Sequence, residues 1–200
     1  MNKPYSESCD QNREPIFSVI QPLLVSAGQV LEIGSGTGQH AVYFAKKLPH
    51  LTWYASDRKD YLDGIRYWLD DSELSNVSGP LELDVSGSHW PSIDVDAVFT
   101  ANSVHIMHTE DVANLVRGVG QLLRNDGDFL IYGPFNYSQQ YSSDSNANFD
   151  DWLKGRDPKS GIKNFEDIEA MAKDAGMRLV DDYVMPANNR ILHFKKNSRL

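Results

Sequence analysis

The segment Leu31-Glu32-Ile33-Gly34-Ser35-Gly36-Thr37-Gly38 constrains the fold of this chain more than any other. It lies between a short apolar run (Val30, Leu31, Ile33) and a stretch with helical spacing at Ala41, Val42, Phe44, Ala45 and Leu48. The order is strand, glycine turn, helix. Gly34 lets the backbone leave the strand sharply. Gly36 puts no Cβ between the main chain and a ligand, and Gly38 lets the helix close on the sheet. The N–H groups at that helix start have no intrahelical partners and carry the positive end of its dipole, so the turn can receive an anionic group.

The alternation continues along the chain. Residues 51–55 read as a second strand ending at Asp57, and 61–69 as a helix with Ile65, Trp68 and Leu69 inward. A third strand over 81–83 ends at Asp84, a fourth spans 95–100, a helix spans 112–123, and a fifth strand spans 129–132. Strands alternating with helices pair in parallel through right-handed crossovers. After a helix over 165–175, closed by Gly176, come two strands, 178–185 and 190–195. Only Pro186-Ala187-Asn188-Asn189 joins them, which permits an antiparallel hairpin but no parallel crossover. The expected fold is α/β: a Rossmann-like doubly wound sheet of seven strands, mostly parallel, with a C-terminal antiparallel hairpin. A length of 200 residues fits one domain. Within it, 1–28 is expected to form an N-terminal arm and helix, loose through Gln11 and helical over 15–25, with Pro22 kinking or shortening the helix. The long polar stretch 133–164 is expected as a lid loop, ordered over the site by Tyr137, Tyr141, Phe149 and Trp152.

A glycine turn and a terminal hairpin together fit S-adenosylmethionine (SAM) better than a dinucleotide. The dinucleotide fingerprint needs its third glycine where Gln39 stands, and here it comes one residue early, at Gly38. Glu32, Gly34, Ser35, Gly36 and Gly38 make up the first part of the expected SAM site. Asp57, with Arg58 beside it, can accept from both ribose hydroxyls at the end of the second strand. The layout resembles that of class I methyltransferases. That resemblance implies that Asp84-Val85, at the end of the third strand, meets the adenine amino group and a ring nitrogen. It also implies that Asn102, in the loop after the fourth strand, falls between methyl donor and acceptor.

Methyl transfer is an in-line displacement at a sulfonium carbon, so alignment and desolvation supply much of the rate. Where the acceptor must lose a proton, His105 is the candidate general base, with Asn102 beside it. His105 and His108 have no clear third ligand, so no metal site is expected. The loop 101–108 lacks the Asn-Pro-Pro-Tyr type motif of base-amine methylation, and the chain lacks a Pro-Cys nucleophile for pyrimidine carbon. A formal net charge of −9 further disfavours nucleic acid, whose affinity rests on Lys and Arg. A small-molecule acceptor is therefore expected. No apolar run approaches the roughly 20 residues that cross a bilayer, no leader is evident, and Cys9 has no disulfide partner. The expectation is a cytoplasmic protein with no membrane association.

The chain resembles the methyltransferase-like 26 proteins, a family also classed as a domain of unknown function, over nearly its whole length. The stretches that carry the resemblance are Cys9 to Ile16, Val30 to His40, Ala101 to Ile106, Tyr132-Gly133-Pro134-Phe135, Arg156-Asp157-Pro158, Gly161-Ile162 and Met185 to Asn189. The glycine motif is common to all class I methyltransferases. Asn12-Arg13-Glu14-Pro15, Arg156-Asp157-Pro158 and Pro186-Ala187-Asn188-Asn189 are particular to this family. The resemblance implies a methyltransferase fold and SAM binding, and brings no substrate with it. Arg13, Tyr132, Arg156, Asp157, Asn188 and Asn189 are candidate acceptor residues, because loops beyond the strand C-termini wall the ligand crevice. Arg13 and Arg156 would meet an anionic acceptor or the methionyl carboxylate, or else tie arm and lid to the body. Two other readings stay open. A non-catalytic SAM-binding protein acting through protein partners would be marked by a damaged pocket, yet Gly34, Gly36, Gly38, Asp57 and Asp84 are intact. An NAD-dependent oxidoreductase is disfavoured by the early Gly38 and the hairpin.

Overall fold

The computed structural model describes residues 3–198. Helix α1 (Glu7–Leu23) precedes β1 (Gln29–Ile33), α2 (Gln39–Lys47), β2 (Thr52–Asp57), α3 (Leu62–Ser72), β3 (Val77–Glu82), β4 (Val95–Ala101), α4 (Thr109–Leu122) and β5 (Leu123–Gly133). There follow β6 (Phe135–Asn136), α5 (Asp144–Arg156), β7 (Lys163–Asn164), α6 (Phe165–Asp174), β8 (Met177–Met185) and β9 (Asn189–Lys196). Seven strands form one sheet in the order β3-β2-β1-β4-β5-β9-β8. The first five are parallel, and β9 runs antiparallel to both β5 and β8. The expected α/β class, seven-stranded sheet and terminal hairpin are all present. The short hairpin link closes because Ala187 and Asn188 both take left-handed backbone, at φ 56 and 57. The connections run outward in opposite directions from β1 and β4, so the switch point of the sheet lies between them.

Both faces of the sheet are covered, which explains why the central strands are apolar without alternation. On one face α1, α2 and α3 bring Ile16, Ile20, Phe44 and Ile65 onto Trp53 and Phe99. The Phe44 ring sits 5.2 Å from Trp53 and meets Phe99 edge-on at 5.5 Å. On the other face α4 and α6 bring Leu115, Val116, Val119 and Ile168 onto Val98, Phe129 and Phe194.

Two expectations fail, both in segments whose order comes from polar contacts. The arm is not loose through Gln11, since α1 begins at Glu7 (Met1 and Asn2 lie outside the described residues). The Ser6 hydroxyl caps this helix by accepting from Cys9 N–H at 3.4 Å, and Glu7 and Asp10 complement the dipole of the first turn. The stretch 133–164 is not a loop. It carries α5 and the β6–β7 parallel pair. The buried positions of α5 are Asn146, Asp150 and Leu153, so two of three are polar and no apolar stripe exists for periodicity to find. Bonds hold this helix instead: Asp150 accepts from Ile162 N–H and from the Tyr141 hydroxyl, each at 2.6 Å.

Close packing of α4 against α6 makes Gly120 a steric requirement. A Cβ there would stand 2.5 Å from the Ala175 carbonyl oxygen, whereas one at Gly155 on α5 meets nothing within 4 Å. Gly120→Ala is expected to lower the thermal midpoint by several degrees. Gly155→Ala is expected to hold or raise stability, by up to about 1 kcal/mol, because a helical glycine loses more entropy on folding. Thermal unfolding of the two variants beside the parent checks both.

Candidate functional site

The loops after β1, β2, β3 and β4 surround a cavity of about 800 Å³ at the C-terminal edge of the sheet. Its floor is the glycine turn. Gly34 and Ser35 N–H both donate to Ser56 O at 3.0 Å, and Gly38 N–H donates to Ser35 O at 2.9 Å. The three glycines differ in what they face. A Cβ on Gly34 would lie 2.5 Å from Ser103 Oγ, and one on Gly38 3.2 Å from Ile65, so both are packing positions. A Cβ on Gly36, at φ 58, would meet nothing within 4 Å, and Gly36 lines the cavity. Its bare backbone faces the open space.

Acids stand at the next two strand ends. Asp57 accepts from Gly36 N–H through Oδ2 and from Arg58 N–H through Oδ1, each at 2.7 Å. Burial pushes its carboxyl up, against the lowering effect of those bonds. Asp84 accepts from Ser86 N–H (2.9 Å) and Oγ–H (2.7 Å), which hold its carboxyl below the usual range. Arg58 and Val85 line the cavity beside these two acids. Asn102 also lines it, in left-handed backbone at φ 56, with its N–H bonded to Tyr132 O at 2.9 Å.

Glu32 lies under the turn and off the cavity wall. It is 1 % exposed, accepts from Trp53 Nε1–H at 3.1 Å, and stands 4.0 Å from His40 Nδ1. Burial raises its carboxyl to about 7 and lowers the His40 imidazole to about 4. His40 lines the cavity and meets Asn12 Oδ1 at 2.7 Å.

The expected acceptor residues mostly stand elsewhere. Arg13 pairs with Asp10 at 2.5 Å and covers the Tyr43 ring. Tyr132 is buried, and burial raises the pKa of its hydroxyl. Asn188 ties its turn to α5, its carbonyl accepting from Asn146 Nδ2 at 3.1 Å. Arg156 lies on the outer face of α5, over Trp152. Of the six, only Asp157 lines the cavity. His105 does not line it either. Its ring is buried 5.2 Å from Phe149, and burial, aided by the Lys163 charge, lowers its pKa to about 4. So weak a base is poorly suited to take a proton at neutral pH.

Other lining residues were not singled out from the sequence. His108 stands on the wall with Nε2 2.7 Å from Asp157 Oδ2. The N-terminal segment crosses the cavity, placing Pro4, Ser6, Ser8 and Cys9 on its wall. Gln39 straps it down: Oε1 accepts from Ser6 N–H at 2.6 Å and Nε2 donates to Ser6 O at 3.2 Å. Trp68 Nε1–H adds a bond to Pro4 O at 2.6 Å. Among the described residues no group of three or more His, Cys, Asp and Glu side chains could hold a metal ion, and no helix is long and apolar enough to cross a membrane.

A family model described as "Protein of unknown function (DUF938)" matches residues 3–196. The chain belongs to that family. Among solved structures it is similar to the S-adenosylmethionine-dependent methyltransferase SibL in its apo form, at 20% identity and a TM-score of 0.81 over 96% of this chain and 56% of that one. It is similar to human N-acetylserotonin methyltransferase in complex with SAM, at 14% identity and a TM-score of 0.77 over 96% and 53%. An O-methyltransferase family 2 protein from Planctomyces limnophilus, in complex with apigenin, matches at 17% identity and a TM-score of 0.74 over 84% and 50%. This DUF938 chain thus has the class I methyltransferase fold and spans about half the length of the structures it matches.

The buried ionisable groups set the pH response of the fold. His105 is depressed from 6.5 to about 4, so between those values the folded chain binds fewer protons than the unfolded one. Its contribution to stability is present above that window and is lost as pH falls through it. Glu32, raised from 4.5 to about 7, acts in the opposite sense: stability declines as pH rises from 4.5 to 7. In urea titrations across this range, His105→Asn is expected to flatten the rise of stability with pH and Glu32→Gln to steepen it. Slopes matching the parent in both variants would contradict the burial argument.

Proposed function

We propose that the chain is a SAM-dependent methyltransferase acting on a small-molecule acceptor, and that it is a methyltransferase-like 26 protein as its motifs suggest. The observation that carries this reading is Gly36: a backbone bare of Cβ, bonded to the Asp57 carboxylate and facing a cavity of about 800 Å³. That volume falls within the range of small-molecule sites, roughly 300–1,000 Å³. The donor set fits the group as well. The turn presents a face free of Cβ at Gly36, and Asp57 keeps acceptor capacity beyond its two backbone bonds.

When bound, SAM supplies an electrophilic methyl group on a sulfonium centre. In this reading the methionyl part of SAM lies against the turn around Gly34, Ser35 and Gly36. Asp57 and Arg58 hold the ribose, and Asp84 and Val85 the adenine. Asn102 marks the border with the acceptor. Glu32 and Gly38 support the turn from beneath and behind without touching the ligand. For an acceptor that must lose a proton, His108 takes the role first given to His105. The Asp157 carboxylate fixes the proton on its Nε2 and leaves Nδ1 free to accept. The whole chain acts as one catalytic unit in the cytoplasm. A net charge of −9 supports a small acceptor in place of a nucleic acid. Apigenin in the Planctomyces limnophilus protein is a precedent for a small planar ligand on this fold.

Thermal unfolding with SAM, S-adenosylhomocysteine and NAD in parallel tests the reading. At 100 times its dissociation constant a ligand adds about 2.7 kcal/mol, which for this length raises the midpoint by roughly 5–11 °C. The two sulfur compounds are expected to give that shift and NAD none, with a smaller shift in Asp57→Asn. No shift with either sulfur compound at millimolar concentration would overturn the proposal.

A further inference from the structure

The wall of the cavity carries more negative charge than the proposed SAM cradle uses. Among the described residues, Asp57, Asp60, Asp84, Asp111 and Asp157 line it, and Arg58 is the only Lys or Arg that does. The sheet order β3-β2-β1-β4 sorts these groups. Asp57, Asp60 and Asp84 stand at or beyond the ends of β2 and β3, where the cradle lies. Arg58 stands there too, over the Tyr61 ring at 5.5 Å. Asp111 and Asp157 belong to the opposite side, beyond β4, together with Ile106, Met107 and His108. Arg13 and Arg156, the cations that an anionic acceptor would meet, are both off the wall.

The groups on the β4 side suit one another chemically. His108 is the N-cap of α4, and Asp111 lies three residues on, in the first turn. That spacing brings the two side chains to the same end of the helix, and both line the cavity. His108 Nε2 is engaged by Asp157 Oδ2 at 2.7 Å, and Asp157 also accepts from Lys159 N–H. The Asp111 carboxylate, by contrast, has no hydrogen bond or ion pair with a side chain among the described residues. Ile106, 60 % exposed, and Met107 add apolar surface beside it. An unpaired carboxylate next to apolar side chains attracts an ammonium ion and repels an anion.

We propose that the acceptor is a small organic amine, bound as its ammonium ion on Asp111 and packed against Ile106 and Met107, and that the protein methylates its nitrogen. The inference deepens the methyltransferase reading and rests on it. An ammonium nitrogen has no lone pair, so it must first shed a proton. His108 Nδ1 accepts that proton, while Nε2–H stays on Asp157, and then passes it to water. The freed lone pair forms the N–C bond as the methyl C–S bond breaks, its electrons leaving on sulfur. The products are the N-methylated ammonium ion and S-adenosylhomocysteine.

Calorimetric titration of the protein saturated with S-adenosylhomocysteine tests this with three probes that share one ring. At neutral pH benzylamine is a cation, benzyl alcohol is uncharged and benzoate is an anion. Benzylamine is expected to bind at millimolar concentration or below, benzyl alcohol about tenfold more weakly, and benzoate more weakly still. Asp111→Asn is expected to weaken benzylamine about tenfold while leaving S-adenosylhomocysteine affinity unchanged, which also shows that the variant folds. Asp111→Lys is expected to reverse the order of benzylamine and benzoate. Equal binding of the three probes, a preference for benzoate, or an Asp111→Asn variant that binds benzylamine like the parent overturns the amine assignment. S-adenosylhomocysteine binding with no benzylamine binding overturns that assignment alone. Failure of S-adenosylhomocysteine to bind overturns the methyltransferase reading and the assignment with it.

Discussion

Ser56 is the residue on which the arrangement of the site depends. It is fully buried at the end of β2, and each of its polar groups engages the turn after β1. Its N–H donates to Ser35 Oγ at 3.1 Å, its hydroxyl to Glu32 O at 2.6 Å, and its carbonyl accepts from Gly34 and Ser35. Thr100 grips the same turn from β4, donating its hydroxyl to Ile33 O at 2.8 Å. The glycine turn is therefore clamped between the two strands that flank β1. In a buried setting the bonds of such a network are strong and leaving one unmade is costly, so the turn has essentially one conformation. That conformation puts Gly36 on the cavity and brings its N–H to Asp57.

A second consequence follows for charge. The groups beneath the turn, Glu32 and His40, are pushed by burial toward their neutral forms. The floor is held by hydrogen bonds more than by ion pairing, which avoids the desolvation cost of a buried charged pair. His40 also reaches Asn12 on α1, and Gln39 beside it holds Ser6. The helix that starts on the glycine turn thus carries two anchors of the N-terminal segment, and Trp68 on α3 carries another. One local structure sets the floor of the cavity and fastens part of its roof.

This division explains what was legible in the sequence. The strands were visible because the central ones are covered on both faces and read as apolar runs. The hairpin was visible because four residues cannot make a parallel crossover. Gly34, Gly36, Asp57, Asp84 and Asn102 were legible because each sits at a strand end, where sequence position alone fixes spatial position. Helix α5 was not, because Asn146 and Asp150 occupy its buried face and the apolar period is absent. The burial of His105 was hidden for a related reason. The two lie in one short segment, and what buries the first is Phe149 on α5, far along the chain. Gln39 gave no sign as a strap, since its partner is the backbone of Ser6 and carries no side-chain signature.

The same contrast bears on how specificity arises in this fold. The glycine turn and the two acids at strand ends are placed by the sheet, and the sheet itself persists at identities near 14–20%. In the proposed reading, recognition of an acceptor falls to segments that the sheet does not dictate. Here those are the strap over residues 4–9 and the α5 excursion between β6 and β7. Each is fastened by polar contacts to the rest of the protein: Gln39 to Ser6, Asp157 to His108, Asn146 to the Asn188 carbonyl. A polar bond between two such segments constrains geometry more tightly than apolar packing of equal area, because it has a direction. The stretches Asn12-Arg13-Glu14-Pro15, Arg156-Asp157-Pro158 and Pro186-Ala187-Asn188-Asn189 supply several of these fasteners. They hold two insertions at fixed positions around the cavity by contacts that need no ligand.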